Sequence, residues 1–443
     1  MTRRLLIVSP HWPPVNAPDL QRVRMSLPYY REHGWEPVVL TVHPDDVAGV
    51  REPELLATVP ADSHIETCRA WPLERARRFG LGSLGIRAWN ALRRTGDRLL
   101  SRERFDLVFF SNTQFVTFTL GPYWRRRYGV PYVIDIQDPW RTDYYERPGA
   151  PRPPGGRKYL LARLIARLGE EPTYRRAAGF VSVSGRYCDD LSQRYPWFGN
   201  KPRAALGFGM SERDLAAARA LPPSPHAWRP QPGEIHLLYT GAAGPIMPHA
   251  LDFLFSSFRR FRDVQPAAAS RFRFHFYGTS YVRPAEGHPR IQPVAAAHGV
   301  DDLVDEIPHR LGHLESLALQ LQADALLLPG SSDLAYSPSK LYPYYLSGKP
   351  ILGLVFAGSY LEALLHDLNC ATIATIPAAA ATAKPDRVLV RFFEDALAGF
   401  PPVSQPVRRN DLFRSRFLAE RLTAQQCQLF DQVAASERHS GQA

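Results

Sequence analysis

Hydrophobic positions along the chain fall into short unbroken runs separated by stretches of helical spacing. Leu5–Val8 is the first run, of the kind a strand shows when both its faces are covered. Leu20, Val23, Leu27 and Tyr30 follow at helical intervals, with Pro18 suited to a first turn, Pro28 predicting a kink and Gly34 a stop. Pro37–Val42, Leu107–Phe110, Tyr132–Ile136 and Phe180–Val183 predict further strands, each followed by small or polar residues and helix-like sequence. The alternation restarts at Ile235–Tyr239 and runs through a helix marked by Leu251, Leu254, Phe255 and Phe258. Strands return at Phe272–Tyr277, Ala325–Leu328 and Pro350–Val355. From Asp411 to about Val433 a closing helix is predicted, with Phe417, Leu418, Leu422 and Leu429 on one face. Repeated strand–helix units imply parallel, doubly wound sheets.

Leu221–Gly233 (LPPSPHAWRPQPG) interrupts this pattern with five prolines in thirteen residues, which exclude a helix interior or a central strand. The expected organisation is an α/β chain with an N-terminal Rossmann-like domain over 1–220 and a Pro-rich linker over 221–233. A second Rossmann-like domain follows over 234–405, then a C-terminal helix and tail over 406–443. The length of 443 residues accommodates two such domains. The apolar run after Arg3-Arg4 stops at Ser9-Pro10, too short for a signal peptide, and no stretch has the length of a membrane span. The four cysteines are scattered without a C-x-x-C pair, which suits a reducing cytoplasm and argues against a metal site or disulfide framework.

Charge changes the picture in one half only. The chain carries a net +11, and residues 1–215 hold 33 Lys and Arg against 23 Asp and Glu. Arg69–Arg104 concentrates ten arginines against three acids, with Trp71, Phe79, Trp89 and several leucines interleaved. Such a stretch either lies on an anionic membrane surface or packs as an Arg-rich helix on its own sheet. No recognition module accompanies it, so nucleic acid is not an expected partner.

Ligands of open parallel sheets bind beyond the carboxyl ends of the strands. His11 and Asn16 follow the first strand, Ser111 and Asn112 another, and Asp138 and Arg141 a third. In the second half the corresponding tips carry Gly241, Gly244 and Gly278. His11 fits either a structural or a catalytic role, and Asp138 either a turn or an acid–base role. Arg22 and Arg24 are expected to be solvated. Tyr336–Ile351 (YSPSKLYPYYLSGKPI) holds two of the five lysines of the chain, with Ser339 placed as an N-cap and Lys340 in the first helical turn. A cation beside free N–H groups is explained by a bound anion, or Lys340 is simply a solvated surface lysine. Neither G-x-S-x-G nor a phosphate-binding G-x-x-x-x-G-K-[ST] occurs.

Taken together, these tips resemble bacterial family 4 glycosyltransferases with the GT-B fold. The opening LLIVSPHWPPVNAPDLQRV resembles their first strand, loop and helix. GVPYVIDIQDPWR is similar to a subgroup carrying D-x-x-D-P-W, and SPSKLYPYYLSGKPIL to their sugar-nucleotide segment. The resemblance implies two Rossmann-like domains facing across a cleft and sugar transfer from a nucleotide-sugar donor to a glycan or lipid-linked acceptor, with retention and without a metal or cofactor. It implies donor contacts from Ser339, Lys340, Gly241, Gly244 and Gly278, catalytic roles for Asp138 and His11, and acceptor contacts from Asn16, Ser111, Asn112 and Arg141. A cytoplasmic enzyme of surface polysaccharide or glycolipid assembly, meeting the inner membrane face through Arg69–Arg104, is the expectation. The sequence departs from the family where two glutamates are usual, at Ala335 and Pro343, and where an arginine and a lysine are usual, at Ala242 and Met247. Two alternatives stand beside it: a non-catalytic binding or regulatory protein of the same fold, and a sugar-nucleotide epimerase.

Overall fold

The unbroken apolar runs form the centres of two all-parallel sheets in the computed structural model, which describes residues 2–142, 157–243, 247–280, 287–334, 339–377 and 386–440. The first sheet has seven strands: β1 (Arg3–Val8), β2 (Trp35–Val42), β3 (His64–Cys68), β4 (Leu107–Ser111), β5 (Tyr132–Ile136), β6 (Gly179–Ser182) and β7 (Arg203–Ala205), in spatial order β3-β2-β1-β4-β5-β6-β7. The second has six: β8 (Ile235–Thr240), β9 (Phe272–Tyr277), β10 (Val304–Ile307), β11 (Ala325–Pro329), β12 (Ile351–Phe356) and β13 (Thr372–Ile376), in order β10-β9-β8-β11-β12-β13. Both follow the doubly wound pattern, in which the order reverses beside the first strand and opens a crevice there.

The four edge strands carry no unbroken apolar run. They read HIETC, RAA, VDEI and TIATI, and hydrophobic patterning does not predict them. An edge strand has one unpaired side and a partly wetted face, so burial does not enforce the composition that marks β1 or β11.

The chain divides into two units, residues 1–209 with 417–443, and residues 210–416. In the first, α1 (Gln21–Ser26) stops short of Pro28 instead of kinking at it, and Gly34 adopts the left-handed conformation of a turn at φ 75°. Further on lie α2 (Leu73–Arg78), α3 (Leu84–Arg102) and α4 (Arg157–Arg176). The C-terminal helix Ala419–Ser440 belongs to this unit: Phe430 packs on Trp35 and Phe109, Trp35 Nε1 donates to Asp431, and Tyr30 OH donates to Gln426.

The Pro-rich segment 221–233 is not where the units separate, contrary to the expected linker. The second unit already includes α5 (Glu212–Arg219), whose buried Asp214 bonds His313 of α7 (His313–Gln322) at 2.8 Å. Trp228 then stacks on His275 of β9 at 4.2 Å. Proline forbids a helix, yet an extended segment with an aromatic anchor docks readily on a sheet. The unit also holds α6 (Pro248–Val264), with Leu251, Leu254, Phe255 and Phe258 buried as their spacing predicts, and α8 (Leu341–Ser347). No described helix is long and apolar enough to cross a membrane.

Candidate active site

In the first unit, the tips of β1 and β4 flank the point where strand order reverses. His11 leaves β1 with its Nδ1 facing the Asp19 carboxylate at 2.9 and 3.0 Å. Asp19 is buried, and its second oxygen accepts from the Thr113 backbone N–H at 3.1 Å and hydroxyl at 2.9 Å. Burial pushes the Asp19 carboxyl up, but the bonds from His11 and Thr113 outweigh it and hold it below the ordinary range. A fixed carboxylate on Nδ1 keeps the proton there and leaves Nε2 as the basic nitrogen, the geometry of an oriented general base. Asp138, one residue beyond Gln137 at the tip of β5, stands exposed. Partial withdrawal of its carboxyl from water and the negative Asp19 raise its pKa.

Directly beneath lies a buried charge network. Arg22 Nε meets Asp135 at 2.8 Å and Arg22 Nη2 donates to the Leu206 carbonyl at 2.6 Å. The Ser111 hydroxyl and Gln137 Nε2 also donate to Asp135, at 2.8 and 2.9 Å. The first aspartate of D-x-x-D-P-W is thus an internal anchor. Arg22 and Arg24 are buried, not solvated: Arg24 Nη1 donates to Thr58 at 2.6 Å. Burial of two arginines on so short a helix requires acceptors remote in sequence, which spacing does not disclose.

In the second unit, the reversal lies between β8 and β11, and Lys340 is brought to it by α8. Tyr344, fully buried, accepts the Thr240 N–H at 3.1 Å and so ties the first turn of α8 to the tip of β8. The lysine side chain crosses the backbone at Gly241, where an added Cβ would lie 1.8 Å from Lys340 Cε. Gly241 at φ 135° and Gly278 at φ 76° both occupy backbone conformations that favour glycine; Gly241 makes room for the lysine, and Gly278 lies against the Gly241 backbone. Lys340 Nζ lies 5.4 Å from the centroid of the Tyr239 ring, and no carboxylate among the described residues pairs with it. Burial alone lowers its pKa to about 8.

Of the residues singled out from sequence, His11, Asp138, Gly241, Gly278 and Lys340 stand at these tips. Ser111 and Asn112 are buried and turned inward: Ser111 bonds Asp135, while Asn112 donates to the Val8 carbonyl and accepts the Gln114 N–H. Asn16 is buried too, donating to Glu52 at 2.9 Å. Ser339 is exposed and makes no cap; the N-cap position falls on Lys340 itself. Arg141 lies beside Trp140, Glu170 and Tyr195. Gly244 and Ala335 lie outside the described residues. Lys349 is at the other end of α8, near Asp324, with its carbonyl accepting from Arg408. Asp19 escapes sequence reasoning because an aspartate after Pro18 looks like an ordinary helix start. Arg69–Arg104 splits into two parts: α3 buries Leu84, Arg87, Ala88, Leu92 and Leu99, whereas α2 exposes Arg75, Arg77, Arg78 and Phe79, the last stacked on exposed Trp71.

Comparison with known proteins agrees with this architecture. Residues 21–200 match the family model described as glycosyl transferase 4-like domain. No curated protein matches the sequence. Among solved structures, the alpha,alpha-trehalose 6-phosphate synthase of Burkholderia multivorans is 11% identical with a TM-score of 0.57, covering 100% of this chain and 99% of that one. The UDP-forming alpha,alpha-trehalose-phosphate synthase of Burkholderia xenovorans is 11% identical with a TM-score of 0.56, covering 98% and 100%. The N-terminal domain of the trehalose-6-phosphate phosphatase of Candida albicans gives 11%, 0.56 and 97% of each chain. The fold is therefore the paired Rossmann-like arrangement known as GT-B, and the stretch similar to the glycosyl transferase 4-like model lies within its first unit.

Proposed function

We propose that this chain transfers a sugar from a nucleotide-sugar to an acceptor hydroxyl, the donor held by the second unit and the acceptor by the first. The observation that carries the reading is Lys340: a half-buried ammonium to which no described residue offers a carboxylate, set by α8 against Gly241 at the reversal point of a Rossmann-like sheet. Desolvating a cation without a partner is costly, and a diphosphate supplies the partner. Charge developing on the leaving diphosphate would be stabilised in place, because Lys340 needs no reorganisation to meet it. The missing carboxylate at Pro343 leaves fewer contacts for the donor ribose and makes the lysine contact proportionally more important.

Retention of anomeric configuration is the outcome the family resemblance implies, with the departing diphosphate accepting the hydroxyl proton and His11 orienting the reacting groups. A second reading is favoured by the His11–Asp19 pair, whose geometry suits direct deprotonation of an acceptor and hence inversion. Asp138, with its raised pKa, would assist either by hydrogen bonding the acceptor. No metal or cofactor enters this reading. The acceptor is a glycan or lipid-linked sugar of surface polysaccharide or glycolipid assembly. The exposed α2 arginines with Trp71 and Phe79 then meet the anionic inner face of a membrane. Liposome flotation indifferent to lipid charge would remove that last element.

The test is incubation of purified protein with UDP-, GDP- and dTDP-sugars, measuring donor binding by calorimetry and sugar release by chromatography. The anomeric coupling of any product separates retention from inversion. Absence of binding to every donor would favour the non-catalytic alternative.

A further inference from the structure

The Pro-rich segment 221–233 lies on the second sheet with Trp228 flat over two imidazoles. The Trp228 ring is 4.2 Å from His275 of β9 and 5.2 Å from His236 of β8, and both histidines are buried beneath it. The five prolines have no N–H to give to a strand ladder, so side chains do the holding. Ser224 donates to Glu315 of α7, His226 Nδ1 meets the same carboxylate at 2.8 Å, and the Trp228 carbonyl accepts from Gln322 at 2.8 Å.

The protonation of the histidine pair follows from its partners. Tyr277 gives its one hydroxyl proton to Asp305 at 2.6 Å, so His275 Nδ1, 3.0 Å from that hydroxyl, is the donor there. His275 Nε2 is then an acceptor, and His236 Nδ1, 3.0 Å away, is its donor. His236 Nε2 is left buried with no hydrogen-bond partner. A further proton on the pair goes to this nitrogen and puts a charge under the tryptophan. Of the groups facing His236, Arg273 and His275 of β9 oppose that charge, while Glu234, 3.5 Å away, and Asp324 favour it. Both acids are already engaged: Glu234 pairs with Arg273 at 2.8 Å, and Asp324 accepts the His236 backbone N–H at 2.8 Å. Burial and His275 prevail and hold the pKa of His236 below its ordinary value.

We propose that residues 227–233 form a pH-sensitive strap: Trp228 closes over His236 and His275 while both are neutral, and lifts off when His236 takes a proton. Water then solvates a charge that the covered site does not. Burial raises the pKa of Glu315, but the bonds from His226 and Ser224 outweigh it, so the far end stays on α7 and the release is local. The proposal does not depend on the transferase reading.

Fluorine NMR of the full chain labelled with fluorotryptophan tests it. There are eight tryptophans, and Trp228→Tyr identifies the Trp228 resonance by its loss. The released strap binds the extra proton below about 6.5, so acid favours release. Between about pH 7 and about pH 5 the resonance should move to its solvent-exposed position. The ratio of released to docked strap should rise several-fold, up to about 25-fold for one imidazole that regains its ordinary pKa. His236→Gln keeps a donor toward His275 and cannot ionise, and should stay docked at both pH values. A Trp228 resonance indifferent to pH in the unaltered protein would overturn the proposal, as would unchanged acid release in folded His236→Gln. Far-UV circular dichroism of the unaltered protein separates release from unfolding: loss of helix in step with the resonance would also overturn it. The unaltered titration decides even if His236→Gln fails to fold.

Discussion

The two strand-tip clusters treat charge in opposite ways. At β1 and β4 every charged group described has an answering group: Arg22 meets Asp135, and His11 meets Asp19, itself held by Thr113. At β8 and β11 the half-buried Lys340 ammonium has the Tyr239 ring and the Gly241 backbone near it and, among the described residues, no carboxylate. The first cluster is held by partners within the chain, which suits groups that orient an acceptor or move a proton. The second offers its ammonium no carboxylate among the described residues, and in the proposed reading an anion from outside completes it. Two sheets that share the same reversal of strand order thus carry unlike chemistry at equivalent crevices, because the chain that follows each first strand differs.

The contrast can be broken most forcefully at its internally satisfied end. Asp135→Ala leaves Arg22 buried without its carboxylate, and stability should fall by about 3–5 kcal/mol, seen in urea unfolding. A change of under about 1 kcal/mol would show that the network is not what holds the first unit together. Next in size is His11→Ala, which should lower the transfer rate by roughly 10²–10⁴-fold while donor affinity stays close to unaltered. Loss of donor binding instead would move His11 to the donor side of the chemistry.

Lys340→Ala sharpens the other end. A charge-assisted contact contributes about 1.5–3 kcal/mol, so donor affinity should fall roughly ten- to a hundredfold, and the melting temperature should not fall. In the unaltered protein, donor affinity should weaken as pH rises through about 8, because Lys340 loses its charge there. Stability without ligand should move the other way: above about 8 and below the ordinary lysine pKa the unfolded chain binds the extra proton, so stability rises with pH. Lys340→Ala should flatten both profiles, and persistence of either slope would detach it from this residue. The smallest effect is expected of Tyr344→Phe, which leaves the Thr240 N–H without its acceptor and should cost about 1–3 kcal/mol of stability, with a few-fold loss of donor affinity as the start of α8 loosens.

Which parts of this were legible beforehand follows from burial. Central strands, covered on both faces, announce themselves as runs such as LLIV or ALLL, whereas the edge strand TIATI, with Thr375 exposed, does not. Lys340 is visible in sequence because lysine is scarce in this chain and follows a helix-start pattern, but its contact with Gly241 spans about a hundred residues and needs the fold. The same distance hides Asp135 as the partner of Arg22, so arginines that look solvated prove internal. Ser111 and Asn112 follow a strand as site residues do, yet face inward. Position along the chain places a residue at a tip without saying which way it points.

The C-terminal helix has a consequence for how the protein is made. Phe430 and Gln426 complete the surroundings of Trp35, Phe109 and Tyr30, yet they are translated after the whole of residues 210–416. At ribosomal elongation rates the nascent first unit therefore waits roughly 10–50 s with one flank of its sheet uncovered. The second unit, drawn from one continuous stretch, is complete before it. The earliest part of the polypeptide to emerge is thus the last to close, and its open apolar flank during that interval is a natural target for a holding chaperone.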